Sequence, residues 1–218
     1  MRAYFISPTE LVKLNQRHQA SWFKLMPLLD CRINRIAIED FYTLAVTDQM
    51  GEIAASVSVR RFDIATDVKD EFESLRLFYG QKAQSMAASV EFQLDVPSAS
   101  RLSGNVFYLG GVWVRPDARY AALTGIITRI ARYTALAAWN PDYEIALGTD
   151  KFLRADVMAT YAYHHTERAF TYRQDGQVLW TGVFLWSDRQ ANLANLRHDL
   201  AELNANDTSR VKKLLRIK

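Results

Sequence analysis

Cysteine is almost missing from this chain: Cys31 stands alone among 218 residues. One thiol excludes an internal disulfide and any metal site built from several cysteines, and Cys31 itself reads as a small core residue. Apolar runs of bilayer length are missing too, so no transmembrane helix and no membrane partner are expected. The N-terminus, Met1-Arg2-Ala3-Tyr4-Phe5-Ile6, has neither the apolar core nor the small-residue cleavage site of a secretory signal, and the cytoplasm is the expected location. A G-x-S-x-G elbow, a Walker loop and a Rossmann glycine fingerprint are all absent, which leaves no sequence support for the chemistries they serve. The adjacent His164-His165 would point in different directions from one helix, with no third ligand nearby, so no metal site is expected. No internal repeat or low-complexity segment occurs.

Charge of one sign is also scarce. The chain carries 27 basic and 24 acidic residues, a net of +3. Five of the basic groups crowd into the last nine residues (Arg210, Lys212, Lys213, Arg216, Lys218), and the remainder holds 22 basic against 24 acidic groups. A nucleic-acid partner would therefore rest on the tail alone, and a short basic tail reads first as a solvated terminal helix face.

What is present is a steady alternation of helical and extended patterns. Ser7-Pro8-Thr9-Glu10 has the form of a capping box with proline at the first helical position, predicting a helix that carries Leu11, Leu14, His18, Trp22, Leu25 and Met26. Residues 36–48 predict a strand, clearest over 41–47, then a turn at Asp48-Gln49-Met50-Gly51 and a half-exposed answering strand over 52–64. Residues 68–84 predict a helix with Phe72, Leu75, Phe78 and Tyr79 on one face, and residues 90–94 a short strand. Further on come a buried strand over 143–148, a helix over 154–165, and a hairpin of 169–173 with 178–186 around Asp175-Gly176. The second hairpin strand is apolar almost throughout and is expected to be covered on both faces. Trp113, Trp180 and Trp186 read as core. Asp188 caps a last helix with Leu193, Leu196, Leu200 and Leu203, which could pack on its own core or on a neighbouring copy as a homodimer contact.

The most informative stretch is 105–140. Val106-Phe107-Tyr108-Leu109, Gly110-Gly111 and Val112-Trp113-Val114 predict one strand with a bulge or close backbone approach at the glycines. Pro116 ends it. Leu123, Ile126, Ile127, Ile130, Ala131, Thr134 and Ala137 then recur at helical spacing. Strand, tight basic turn, helix: backbone N–H groups and a helix N-terminus point at whatever lies above the turn, a place suited to an anion. The whole order predicts an α+β fold with a central mixed, mostly antiparallel sheet flanked by helices and an extra C-terminal helix.

From residue 36 to 186 this order resembles the GCN5-related N-acetyltransferase (GNAT) superfamily. Val114-Arg115-Pro116 matches the family's V-x-P strand end, and Arg119-Tyr120-Ala121-Ala122-Leu123-Thr124 occupies its [R/Q]-x-x-G-x-[G/A] diphosphate loop, with Ala122 and Thr124 in the two small-residue positions and Gly125 one residue late. Asp156, Ala159 and Tyr163 align with its N-x-x-A-x-x-x-Y pattern. The resemblance implies a domain over 1–187 and a helical extension with a basic tail over 188–218. It also implies acetyl-CoA or another acyl-CoA as cosubstrate, held by Val112, Val114, Arg115, Arg119, Tyr120, Ala121, Ala122, Leu123, Thr124 and Gly125. The acyl group would pass directly to a small-molecule or peptide amine, the oxyanion resting against the Val112 N–H. Tyr163, or Tyr161 two residues earlier on another side of the helix, would protonate the departing thiolate. Glu91, Tyr108 and Asp150 are candidate bases, and the acceptor would sit against the first helical region and residues 85–103. The alternative is a GNAT-fold protein that binds a ligand or partner without catalysis.

Overall fold

The computed structural model describes residues 1–121 and 123–204, with backbone alone over 119–121. Ala122, the basic tail from Ala205 onward and the side chains of Arg119, Tyr120 and Ala121 therefore lie outside the described residues.

The chain runs β1 (Arg2–Ile6), α1 (Pro8–Arg17), β2 (Phe41–Thr47), β3 (Ile53–Ile64), α2 (Val68–Glu73), α3 (Arg76–Tyr79), α4 (Ala83–Met86), β4 (Val90–Leu94), β5 (Gly104–Val114), α5 (Leu123–Trp139), β6 (Tyr143–Gly148), α6 (Ala155–Tyr161), β7 (His165–Gln174), β8 (Gln177–Asp188) and α7 (Arg189–Asn204). The strands form one sheet in the order β1-β2-β3-β5-β6-β8-β7-β4. Only β5 and β6 run parallel; every other neighbouring pair is antiparallel. The chain is thus α+β with a mixed, mostly antiparallel sheet, helices on its faces and a C-terminal helix.

Local chemistry sets the element ends. The Ser7 hydroxyl accepts from the Glu10 N–H, and the Glu10 carboxylate accepts from the Ser7 N–H at 2.7 Å, which closes the capping box. At the β2–β3 turn the Asp48 carboxylate accepts from the N–H groups of Met50 and Glu52, and Gly51 takes φ +85°. Asp175 and Gly176 both adopt positive φ in the β7–β8 turn, as an Asp-Gly hairpin requires.

Several expectations from sequence are corrected. Residues 2–6 form a strand, β1, paired with β2. The first helix stops at Arg17 rather than near Met26, and the following segment folds back without helix, so that Trp22 reaches the sheet by a loop. Residues 36–40 precede β2 and are not part of it. The single helix expected over 68–84 is three short ones, because Leu75 takes a left-handed conformation and interrupts the first. In β3, Ser56 and Ser58 are fully buried, not solvent-facing: α5 covers one face of the sheet centre and the α1 side covers the other. Conversely, Val178 and Leu179 at the start of β8 are 53% and 57% exposed, since the hairpin tip projects beyond both layers. The helix expected over 154–165 ends at Tyr161, and His165 already belongs to β7. In α7 the buried side chains are Asn192 and Asp199, while Leu200 and Leu203 are each 48% exposed.

Apolar residues collect on the two faces of the sheet. One cluster joins α1, α2, α3 and β4 through Leu11, Phe72, Phe78, Phe92, Phe170 and Phe184. The other lies beneath α5 and holds Val57, Val59, Phe107, Leu109, Leu123, Ile127 and Ala131. Successive residues of β5 divide between them: Val106 and Tyr108 to the first, Phe107 and Leu109 to the second.

Candidate active site

The parallel ladder between β5 and β6 contains only three register pairs, Val106 with Tyr143, Phe107 with Glu144 and Tyr108 with Ile145. Both strands continue, β5 to Val114 and β6 to Gly148, so they part midway. The cause is local. Against β3, the register of β5 shifts between Ser58–Gly110 and Ser56–Trp113, a bulge of one extra residue, and Gly111 sits within it at φ +58°. A bulge bends its strand and raises its twist, and here it carries the end of β5 away from β6.

A cavity of about 200 Å³ lies against this diverging end of β5, lined by Ser21, Trp22, Phe23, Val112, Trp113, Val114, Thr124 and Tyr161. Trp22 and Trp113 belong to the α1-side core, whereas Val112 and Val114 pack on the α5 side, so the cavity has walls from both faces of the sheet. Thr124 brings the first turn of α5 to it, where orphan N–H groups and the helix dipole favour negative charge. On the α1 side Trp22 stacks on Trp113 at 5.3 Å between ring centres, His18 lies against Trp113 at 4.4 Å, and the Trp113 indole donates to the Ser21 hydroxyl at 3.2 Å. Phe23 stands at the rim, 90% exposed.

Tyr161 is the last residue of α6. Burial pushes its phenol up to about 12, with no charged neighbour adding to the shift. A phenol so placed stays protonated near neutral pH and can donate a proton. The Tyr161 ring packs on Phe152 at 4.6 Å between centres, and the backbone there is held by two arginines from α5. Arg132 is fully buried and pairs with the equally buried Glu144 of β6, Nε to Oε2 at 2.5 Å and Nη2 to Oε1 at 2.9 Å. The same Nη2 donates to the Tyr161 carbonyl at 2.8 Å. Burial works against the Arg132 charge, but the Glu144 carboxylate overrides it, so the guanidinium is held above its ordinary value. Arg129 donates to the Thr160 carbonyl at 2.9 Å. Gly125 is the close-approach point between the two helices: a Cβ there would lie 3.3 Å from Arg129 Nη1 and 3.5 Å from Thr160.

Tyr163 does not line the cavity. It is buried among Ala146, Val183 and Leu185, its ring 5.1 Å from the Arg132 guanidinium. Burial, then the Glu144 charge, hold its phenol well above the ordinary value. The cavity thus gathers Val112, Val114, Thr124 and Tyr161 and leaves out Tyr163, although Tyr161 packs against the same small cluster that holds Tyr163. Leu123 faces the α5-side core. Arg115 is engaged by Asp48 at 2.6 Å and Asp117 at 2.7 Å. Arg119, Tyr120 and Ala121 lie in a 3-10 turn over Pro116–Ala121 that leads into α5. Of the candidate bases, Glu91 is exposed on edge strand β4 and paired with Arg173, Asp150 is exposed in the turn after β6, and Tyr108 is buried with its phenol pushed up by that burial. His165 stacks on Trp186 at 3.8 Å, and no group of three or more metal-ligating side chains occurs among the described residues.

Sequence reasoning placed the acceptor against the first helical region without singling out Ser21, Trp22 or Phe23, and passed over Arg129, Arg132 and Glu144 altogether. A signal for the last three was available. Two arginines stand three apart within the apolar pattern of α5, and one glutamate sits in an otherwise apolar β6.

Searched against known proteins, the chain matches no family model and no curated protein. Solved structures do match. Arylalkylamine N-acetyltransferase 2 from Aedes aegypti aligns at 12% identity with a TM-score of 0.53, over 86% of this chain and 98% of that one. The polyamine N-acetyltransferase of Drosophila melanogaster aligns at 11% identity and the same TM-score, over 86% and 100%. NAA60 from Arabidopsis thaliana, in complex with acetyl-CoA, aligns at 12% with a TM-score of 0.50, over 86% and 98%. The chain has the GNAT fold. At these identities the likeness extends to architecture alone, and the chemistry of this GNAT-fold protein must be argued from its own residues.

Proposed function

We propose that this chain is an N-acyltransferase that moves an acyl group, acetyl in the simplest case, from acyl-CoA to an amine. The observation that carries the reading is the three-pair β5–β6 ladder. It opens a cleft bordered by a strand end, a helix N-terminus and Tyr161. These fit the parts of an acyl thioester. The diverging end of β5 suits the amide-bearing pantetheine arm, which can add to a strand edge. The first turn of α5, with the Thr124 hydroxyl and the preceding basic turn at Arg119, suits the diphosphate.

The residues then divide the work. The donor enters on the α5 side and the acceptor on the α1 side, past Trp22, Trp113 and Phe23. The amine nitrogen attacks the thioester carbonyl carbon, and the Val112 N–H receives the oxyanion that develops there. When the tetrahedral adduct collapses, the carbon–sulfur bond breaks and Tyr161 donates its proton to the departing thiolate. The proton lost by the amine passes to solvent, which returns one to Tyr161 for the next cycle. No carboxylate is among the described residues that line the cleft, so the wall suits an amine with an aromatic or apolar body better than a polycation.

Thr124, β-branched where the family pattern has a small residue, favours a second reading in which acyl-CoA binds without transfer. Release of free CoA thiol separates the two. The protein is incubated with acetyl-CoA and, in separate reactions, phenethylamine, tryptamine and spermidine. The account expects amine-dependent thiol release that is faster with the two aromatic amines and slowed by Phe23→Ala. Acetyl-CoA binding with no amine-dependent release would support the non-catalytic reading.

A further inference from the structure

The C-terminal helix α7 is built the wrong way round for a helix that packs by hydrophobic burial. Its leucines at 200 and 203 face solvent, and its two buried side chains are Asn192 and Asp199. Asn192, Asn195 and Asp199 follow one another at spacings of three and four, so they share one face of the helix. That face is turned toward α5 and the end of α6. Asp199 forms an ion pair with Arg129 Nε at 3.0 Å and accepts from the Tyr133 hydroxyl at 2.5 Å. Asn195 donates its amide to the Ala162 carbonyl at 3.0 Å.

Asn195 thus reaches the end of α6 directly, and Asp199 reaches it through Arg129. Residues 159 to 162 close α6 and place Tyr161. Their carbonyls are the ones a helix leaves without intrahelical partners, and cations suit that end of the dipole. Arg129 reaches the Thr160 carbonyl and, at 3.5 Å, that of Ala159. Arg132 takes the Tyr161 carbonyl, and Asn195 takes that of Ala162, which sits in a left-handed conformation at φ +55°. Four consecutive carbonyls are thus held by side chains from two other helices. At seven residues α6 is too short to hold its own end by helix propensity. Arg129 in turn is aimed by Asp199, whose carboxylate is also fixed by Tyr133.

We propose that α7 is a positioning element of the active site: Asn195 and Asp199, acting through the α6 end and Arg129, hold the Tyr161 phenol at the cleft. This rests on Tyr161 acting as the acid. None of the α7 residues touches the cleft, so their effect passes entirely through the backbone of residues 159–162.

The test uses the full chain and two readouts. In hydrogen–deuterium exchange, Asp199→Asn should speed exchange of the peptide covering 155–163 by tenfold or more and leave β6 and β8 unchanged. In thiol release from acetyl-CoA with phenethylamine, Asp199→Asn should lower kcat at least tenfold with the KM for acetyl-CoA within twofold of wild type. Asp199→Glu, which keeps the charge, should recover most of the loss. Asn195→Ala, a milder change that removes a neutral contact, should act in the same direction. The deciding comparison is with Tyr161→Phe: the double variant with Asp199→Asn should be no slower than Tyr161→Phe alone, because both act through one phenol. Losses that multiply, or unaltered exchange over 155–163 in both α7 variants, would overturn the proposal. A wild type that transfers to no amine would count against Tyr161 as acid, and the exchange data would then decide by themselves whether α7 holds the α6 end.

Discussion

Replacing Glu144 by leucine removes one half of an ion pair whose two side chains are both 0% exposed. Arg132 would keep its charge, since a guanidinium does not deprotonate in this range, and of its two contacts to Glu144 none would remain. The Tyr161 carbonyl would still accept from it, and the Tyr163 ring would still lie 5.1 Å away, but no counter-charge would be left beside it. Breaking a buried pair in this way costs about 3–5 kcal/mol. For a domain of this size each kcal/mol lowers the melting temperature by about 2–4 °C, so Glu144→Leu should melt about 6–20 °C below wild type. Scanning calorimetry at neutral pH measures this, with urea unfolding as an independent check. The companion double variant, Arg132→Met with Glu144→Leu, replaces the pair by apolar groups and should regain most of the stability, because it leaves no buried charge. It should still transfer acyl groups slowly, having lost the contact that holds Tyr161. A Glu144→Leu protein melting within about 4 °C of wild type would mean that Arg132 finds water or another partner, and would refute the reasoning.

Two further outcomes follow from the tyrosines. Tyr161→Phe should lower kcat by about 10²–10⁴-fold, the range for loss of a general acid, while leaving acetyl-CoA affinity unchanged; Tyr163→Phe, at a side chain buried among Ala146, Val183 and Leu185 and apart from the cleft, should leave the rate within a few-fold of wild type. The phenol of Tyr161 is raised to about 12 and that of Tyr163 is raised well above the ordinary value, so the fold prefers both neutral. Their contribution to stability is complete below about pH 10, where the unfolded chain begins to ionise. Above that it declines, for Tyr161 as pH rises through about 12, and urea midpoints measured up to about pH 11 should fall less steeply in Tyr163→Phe.

The fold was legible because its signals are local. A capping box, a glycine pair inside an apolar strand, an Asp-Gly turn and a long apolar helix stripe each specify an element without help from distant residues. Errors arose where tertiary contacts decide. The serines of β3 alternate as if facing water, yet α5 and the α1-side core cover both faces there. The leucines of α7 advertise an apolar seam, yet its buried side chains are Asn192 and Asp199, Leu193 and Leu196 are half-buried, and Leu200 and Leu203 are exposed. The site was half legible for the same reason. Val112, Val114 and Thr124 lie in one continuous stretch covered by the motif, and all three line the cavity. Trp22 and Phe23 approach by a loop whose path depended on where α1 ends, and the end of α6 at Tyr161 depends on arginines more than twenty residues away in sequence.

The central claim is that the β5–β6 cleft receives an acyl-CoA, and the most direct measurement is the melting temperature of the chain in rising acetyl-CoA. A ligand that binds only the folded state adds about 2.7 kcal/mol of stability at 100 times its Kd. That corresponds to a rise of roughly 5–11 °C for a domain of this size. The account predicts a saturable rise of that order that is abolished in Arg119→Glu. An unchanged melting temperature at millimolar acetyl-CoA, or a rise that survives Arg119→Glu intact, would contradict it.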